Sequence, residues 1–146
     1  MVPVFQNFSR YTVKDSFTFV GDIRNINSEN TFMSSFDLKS LYTNVPLDKI
    51  IEISTEQLNK MDKQSLKKES FVQLMKIATK EVEFSFKDTI FCQTDRDALG
   101  YHLGPTLANI LMGYIELNAI PKFITKYPNT KYMRYVNDCF VITSCE

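Results

Sequence analysis

Two aspartates far apart in the chain, Asp37 and Asp138, occupy positions where a carboxylate could do chemistry. Asp37 closes the alternating stretch Thr31 to Phe36, and Asp138 follows Asn137 between the strand-like runs Tyr132 to Val136 and Cys139 to Thr143. If those strands are neighbours in a sheet, the two carboxylates meet and could hold magnesium. Nucleotidyl transfer uses two divalent ions roughly 3.5–4 Å apart, one activating a 3′-hydroxyl and one holding pyrophosphate, with oxygen ligands in near-octahedral geometry. Spacing alone does not demand this. A strand-end aspartate and an Asn137-Asp138 turn pair account for the same residues without any chemistry.

The surrounding elements would have to bring these residues together. Asp15 can cap a helix with Phe19 and Ile23 at i, i+4, running to about Arg24. Phe32, Ser34 and Phe36 then alternate with Met33, Ser35 and Asp37, as a strand requires. After Pro46, the residues Leu47, Ile50, Ile51 and Leu58 share one helix face, and a second helix, capped by Ser65, has Phe71, Leu74, Met75 and Ala78 as its buried stripe. Val82, Phe84 and Phe86 form a strand that turns at Lys87-Asp88 and returns through Thr89 to Cys92. Gly104-Pro105 opens a third long helix with Leu107, Ile110, Leu111, Tyr114 and Ile115 on one face. The last two strands enclose a tight turn at Asn137-Asp138. This order points to an α+β fold, a small antiparallel sheet with helices packed on one face.

The wording of three segments is more specific than their periodicity. SFDLKSLYTNVPLDKII, Ser35 to Ile51, resembles the first catalytic motif of reverse transcriptases, and KYMRYVNDCFVI, Lys131 to Ile142, resembles their hairpin motif with two adjacent aspartates. FCQTDRDALGYHLGPTLANILMGYIE, Phe91 to Glu116, resembles the motif that contacts template and nucleotide. With YTVKDSFTF, Tyr11 to Phe19, the resemblance extends from about residue 11 to 143, and in wording the chain is most similar to Penelope-like retroelement reverse transcriptases.

That resemblance implies a polymerase palm, Asp37 and Asp138 as magnesium ligands, and Tyr42 beneath the incoming sugar, where its ring would exclude a 2′-hydroxyl. It implies that Gly100 lets the backbone approach the nucleotide or template, and that the ancestral partners are an RNA template, a DNA primer and a deoxynucleoside triphosphate. Fingers, thumb and endonuclease segments of the family have no counterpart within residues 1 to 146, so a partial reverse-transcriptase domain is expected. The departures fall on the chemistry. Asn137 stands where the family has the first aspartate of the hairpin pair, and an amide brings no charge to dications beside a triphosphate. In the middle motif Arg96, Asp97, Leu99, Tyr101 and His102 depart from the family's residues, and Arg96 and Tyr101, in place of small ones, should crowd the site. The resulting expectation is an inactive remnant of an RNA-directed DNA polymerase with a weakened magnesium site. The alternatives are a non-catalytic RNA- or protein-binding module on the same palm, and an active polymerase completed by another chain.

Composition agrees with a palm that has lost its grip on nucleic acid. Seventeen basic and seventeen acidic side chains cancel, so the strong positive field of a self-sufficient nucleic-acid binder is missing. Three cysteines without metal-ligand spacing suggest a reduced, intracellular protein. The longest apolar run, Thr106 to Leu117, is interrupted by Asn109 and Glu116 and falls short of the ~20 residues of a membrane helix.

Overall fold

A computed structural model describes residues 8–26, 30–60, 67–79, 82–93 and 103–144. The described residues divide into two compact units, one drawn from Ser40–Leu111 and the other from Asn7–Lys39 and Met112–Glu146.

The first unit opens with a 3-10 turn, Tyr42–Asn44, tied back by the Asn44 side-chain amide, which donates to the Ser40 carbonyl at 3.0 Å. Helix α2 (Leu47–Asn59) follows and buries Leu47, Ile50, Ile51 and Ile53. Helix α3 (Lys68–Thr79) packs against α2, but its buried arc differs from the expected stripe. Phe71, Val72, Met75, Ala78 and Thr79 turn inward and Leu74 is 55% exposed. The arc is centred near Met75, and one residue is about 100° of helix rotation, so Leu74 falls off its margin. Ser65, the expected cap, lies outside the described residues.

Strands β2 (Val82–Phe86) and β3 (Thr89–Gln93) form an antiparallel hairpin, with Phe86 opposite Thr89. Its two loop residues, Lys87 and Asp88, have φ of +47° and +59°, the pair of left-handed conformations that a twisted two-residue hairpin needs. Helix α4 (Gly104–Lys126) begins in this unit, where Leu107, Ala108 and Ile110 are buried, and continues into the second.

The second unit is built on a three-stranded antiparallel sheet in the order β1 (Thr31–Asp37), β5 (Asp138–Ser144), β4 (Lys131–Tyr135). The free edge of β4 is covered by the chain entering helix α1 (Ser16–Ile23): Arg134 N–H donates to Tyr11 O and Val13 N–H donates to Arg134 O, both at 2.8 Å. Asp15 caps α1 as its position suggested, accepting from Thr18 N–H at 2.7 Å. That contact holds the Asp15 carboxyl below its usual range.

Because paired residues of an antiparallel ladder share a face, the register sorts the side chains. Met33, Ser35 and Asp37 lie with Ile142, Phe140 and Asp138 and with Met133 and Tyr135. Here α1 packs through Phe19 and Ile23, with Ile26 just beyond its end, against Val13, Met133, Ile142 and Phe140. Phe32, Ser34 and Phe36 share the opposite face with Val141, Cys139, Tyr132 and Arg134, the face on which α4 buries Glu116.

The stripe on α4 also departs from expectation. Ile115 is 46% exposed, whereas Glu116, which looked like a polar interruption, is buried. Close packing explains the neighbouring glycine: a Cβ on Gly113 would fall on the carbonyl oxygen, Cα and Cβ of buried Phe8. Overpacking costs about 3 kcal/mol at the upper end of its usual range. Alanine returns about 1 kcal/mol of helix propensity. Gly113→Ala is therefore expected to destabilise by about 2 kcal/mol in urea unfolding. A neutral result would mean that Phe8 does not pack where described.

Candidate metal site at the hairpin

β1 and β5 bring the two aspartates together although they are 101 positions apart in the chain, since Asp37 and Asp138 are direct partners in the ladder. Leu38 N–H donates to Asn137 O at 2.9 Å, which makes 38 and 137 a hydrogen-bonded pair. The adjacent 37 and 138 are then a non-hydrogen-bonded pair, the kind with Cα atoms only about 4.5 Å apart and side chains closest. Both residues are exposed on the same face. Like charges placed so are mutually unfavourable and attract a cation.

The hairpin turn itself is shifted by one residue from the expected Asn137-Asp138 pair. Tyr135 pairs with Asp138, so Val136 and Asn137 form the loop and Asp138 is the first residue of β5. Local turn preference favours Asn and Asp. A loop at Asn137-Asp138 would slide β4 two residues along β5 and set Val141 opposite Arg134, whereas the observed register sets buried Arg134 opposite buried Cys139. The consequence is a β-branched residue, Val136, at φ +55°. A left-handed conformation at such a residue stores strain of about 1–3 kcal/mol. Glycine removes it while adding about 0.5–1 kcal/mol of unfolded-chain entropy. Val136→Gly is expected to raise stability by about 1 kcal/mol, read as a higher urea midpoint. A lower midpoint would contradict strain at this turn.

The shifted turn aims Asn137 at Asp37, and its Nδ2 donates to Asp37 Oδ1 at 2.5 Å. An amide nitrogen thus occupies one oxygen of the carboxylate that a metal would need. Among the described residues no group of three or more His, Cys, Asp or Glu gathers in one place. Asp37 and Asp138 fit one divalent ion, with the neutral Asn137 beside it, and lack the charge to assemble two.

Beneath the turn lies a buried cluster that sequence reasoning missed. Arg134 is fully buried and Glu116 is 2% exposed. Arg134 Nε donates to Glu116 Oε1 at 2.6 Å and Nη2 reaches Oε2 at 3.4 Å, a two-point contact between guanidinium and carboxylate. Nη1 donates to the Val136 carbonyl at 2.8 Å, and Nη2 also reaches Thr12 Oγ1 at 3.2 Å. Tyr132 OH donates to Glu116 Oε1 at 2.8 Å and lies 3.2 Å from Cys139 Sγ. Burial above all, then the Cys139 contact and the Glu116 charge, pushes the Tyr132 hydroxyl far above its usual range. Burial also raises the Cys139 thiol, with the Tyr132 hydrogen bond opposing it, so this cysteine is not an activated nucleophile. An Arg and a Glu on the apolar-flanked segments MRY and YIEL were the one available signal, since buried charges come in pairs.

On the face of Asp138, a cavity of about 560 Å³ is walled by Phe19, Met133 and Phe140, with Tyr135, Asp15 and Asp138 at its polar side. Among the described residues, Arg134 is the only cation that borders it, and that guanidinium is committed to Glu116. Such a lining does not grip phosphate.

Tyr42 belongs to the other unit, in the 3-10 turn, and is partly buried. Gly100 and the altered residues Arg96, Asp97, Leu99, Tyr101 and His102 lie outside the described residues. No helix of the described residues is long and apolar enough to cross a membrane.

No protein-family model and no curated protein matches the sequence. Solved structures do. The chain is similar to telomerase from Candida albicans in complex with a TWJ fragment of telomeric RNA, with a TM-score of 0.69 at 15% identity over 93% of this chain and 27% of that one. It is similar also to apo telomerase from Candida tropicalis truncated from its C-terminal domain, with a TM-score of 0.67 at 16% identity, covering 95% of this chain and 31% of that one. The Candida tropicalis enzyme with the same kind of RNA fragment gives 0.66 at 16% identity, over 94% and 26%. The chain therefore spans about a third or less of these neighbours, and what it shares with them at this identity is the fold alone, an α+β one.

Proposed function

We propose that the chain is the palm of a retroelement reverse transcriptase, of the Penelope-like kind, and that as it stands it does not polymerise DNA. The observation that supports this best is the Asn137 amide bonded to Asp37. A carboxylate at 137 would add a third negative charge where Asp37 and Asp138 already face each other. The amide instead satisfies Asp37 with a hydrogen bond. Magnesium bound here would be held by Asp37 and Asp138, and would supply activation of a primer 3′-hydroxyl and charge neutralisation at the triphosphate. In the same reading Tyr42 selects deoxynucleotides and Gly100 gives the backbone access to nucleotide or template, while Arg96 and Tyr101 obstruct that access. RNA template and DNA primer are the ancestral partners, and the zero net charge and acidic cavity rim favour weak retention of either.

The test is single-turnover extension of a DNA primer on an RNA template, with magnesium and then manganese. No extension is expected. Extension by the unaltered chain would overturn the inactive reading.

One observation favours the second reading, a binding module. Phe32 and Phe36 stand 66% and 48% exposed on the same face of β1, an edge strand, where apolar surface invites a protein partner. RNA binding would instead show as affinity that falls steeply with salt in a filter-binding titration.

A further inference from the structure

Among the described residues, Asn137 meets Asp37 because the hairpin loop adopts a backbone conformation that Val136 disfavours, so something must hold it there. A side-chain hydrogen bond reaches the loop's backbone from below, from Arg134 Nη1 to the Val136 carbonyl at 2.8 Å. We propose that Arg134, locked by Glu116, is a positioning residue that clamps the turn and so sets the side chain at 137 against Asp37. The inference deepens the palm reading and rests on it for the importance of that contact, though not for the contact itself.

The geometry suits a clamp rather than a packing accident. Guanidinium is planar and presents several donors in fixed directions, so one side chain reaches Glu116, Thr12 and Val136 together. Its base is equally fixed: Arg134 N–H and C=O are bonded to Tyr11 and Val13, so the arginine cannot slide along β4. Glu116 is held in turn by Tyr132 OH. The chain of contacts runs from α4 through Glu116 and Arg134 to the Val136 carbonyl, the peptide that joins Val136 to Asn137. Turning that peptide turns the Asn137 side chain away from β1.

The clamp can be removed without stranding a charge by the double substitution Glu116→Leu with Arg134→Met, which fills the same space with apolar groups. In the full chain labelled with nitrogen-15, the side-chain amide of Asn137 is followed by NMR, its signal assigned by its loss in Asn137→Ala. In the unaltered chain one of its protons is expected at a hydrogen-bonded shift that disappears in Asp37→Ala. In the double variant that shift should collapse to a free amide's while the backbone signals of Met133 and Phe140 stay dispersed. A folded double variant that keeps the Asn137 shift would overturn the proposal. Should the double variant not fold, Arg134→Lys decides: it keeps the charge against Glu116 but lacks the fork, so the Asn137 shift should be lost, and its retention would overturn the clamp. Neither arm needs metal or primer, so a failed clamp is distinguishable from a failed polymerase reading. In the Asn137→Asp chain, the same double substitution should weaken manganese binding roughly 10- to 100-fold, the usual loss when a partner orienting a metal ligand is removed.

Discussion

Arg134→Met alone is expected to remove about 3–5 kcal/mol of folding free energy, the usual consequence of leaving one member of a buried ion pair unpartnered. Glu116 would keep its place at 2% exposure with only the Tyr132 hydroxyl to satisfy it, and Thr12 and the Val136 carbonyl would each lose a donor. Against the roughly 5–15 kcal/mol that separates folded from unfolded domains, such a loss leaves much of the population unfolded near body temperature. Circular dichroism across a urea titration measures it. The double variant with Glu116→Leu should recover most of the loss, because the cost lies in the stranded carboxylate and not in missing attraction. A single substitution costing less than about 1 kcal/mol, the range of exposed pairs, would show that water reaches this pair and that its burial is misplaced.

Asn137→Asp is expected to make stability depend on divalent cations, which the unaltered chain should show weakly or not at all. The substitution removes the donor to Asp37 and creates three neighbouring carboxylates, so the variant should melt lower than the parent in chelator. Manganese should reverse this, since a ligand that binds only the folded state adds about 2.7 kcal/mol at a hundredfold excess over its dissociation constant. Thermal melts in chelator and in millimolar manganese give the comparison. Equal melting temperatures in both would mean that Asp37 and Asp138 do not form a cation site even with the third carboxylate restored. Primer extension is still not expected from this variant, because Arg96 and Tyr101 remain in the middle motif and a misplacement of about 1 Å can cost ~100-fold in rate. Extension after this one change would show Asn137 to be the sole lesion.

Much of the site was legible in the chain because its signals are local or repeat a short pattern. Phe32, Ser34 and Phe36 alternate with Met33, Ser35 and Asp37, and the ladder shows those two sets on opposite faces. Asp15 three residues before Thr18 gave a cap, and Lys87-Asp88 between two β-prone runs gave a hairpin. The resemblance of the flanking motifs placed Asp37 beside Asp138, and β1 and β5 pair them. Each of these depends on neighbours within a few positions or on a motif that can be recognised whole.

Tertiary packing decided what such signals cannot contain. Glu116 reads as a polar break in an apolar run until Arg134, 18 residues on, lies across from it in the dark of the sheet's covered face. Leu74 belongs to a helical stripe by spacing, but which arc is buried depends on where α2 lies. The turn lies at Val136-Asn137 and not at Asn137-Asp138, against local preference, in the register that sets buried Arg134 opposite buried Cys139. Periodicity states which residues can share a face. The partner that makes a buried charge tolerable, or a strained turn worth holding, is chosen by the free energy of the whole assembled core.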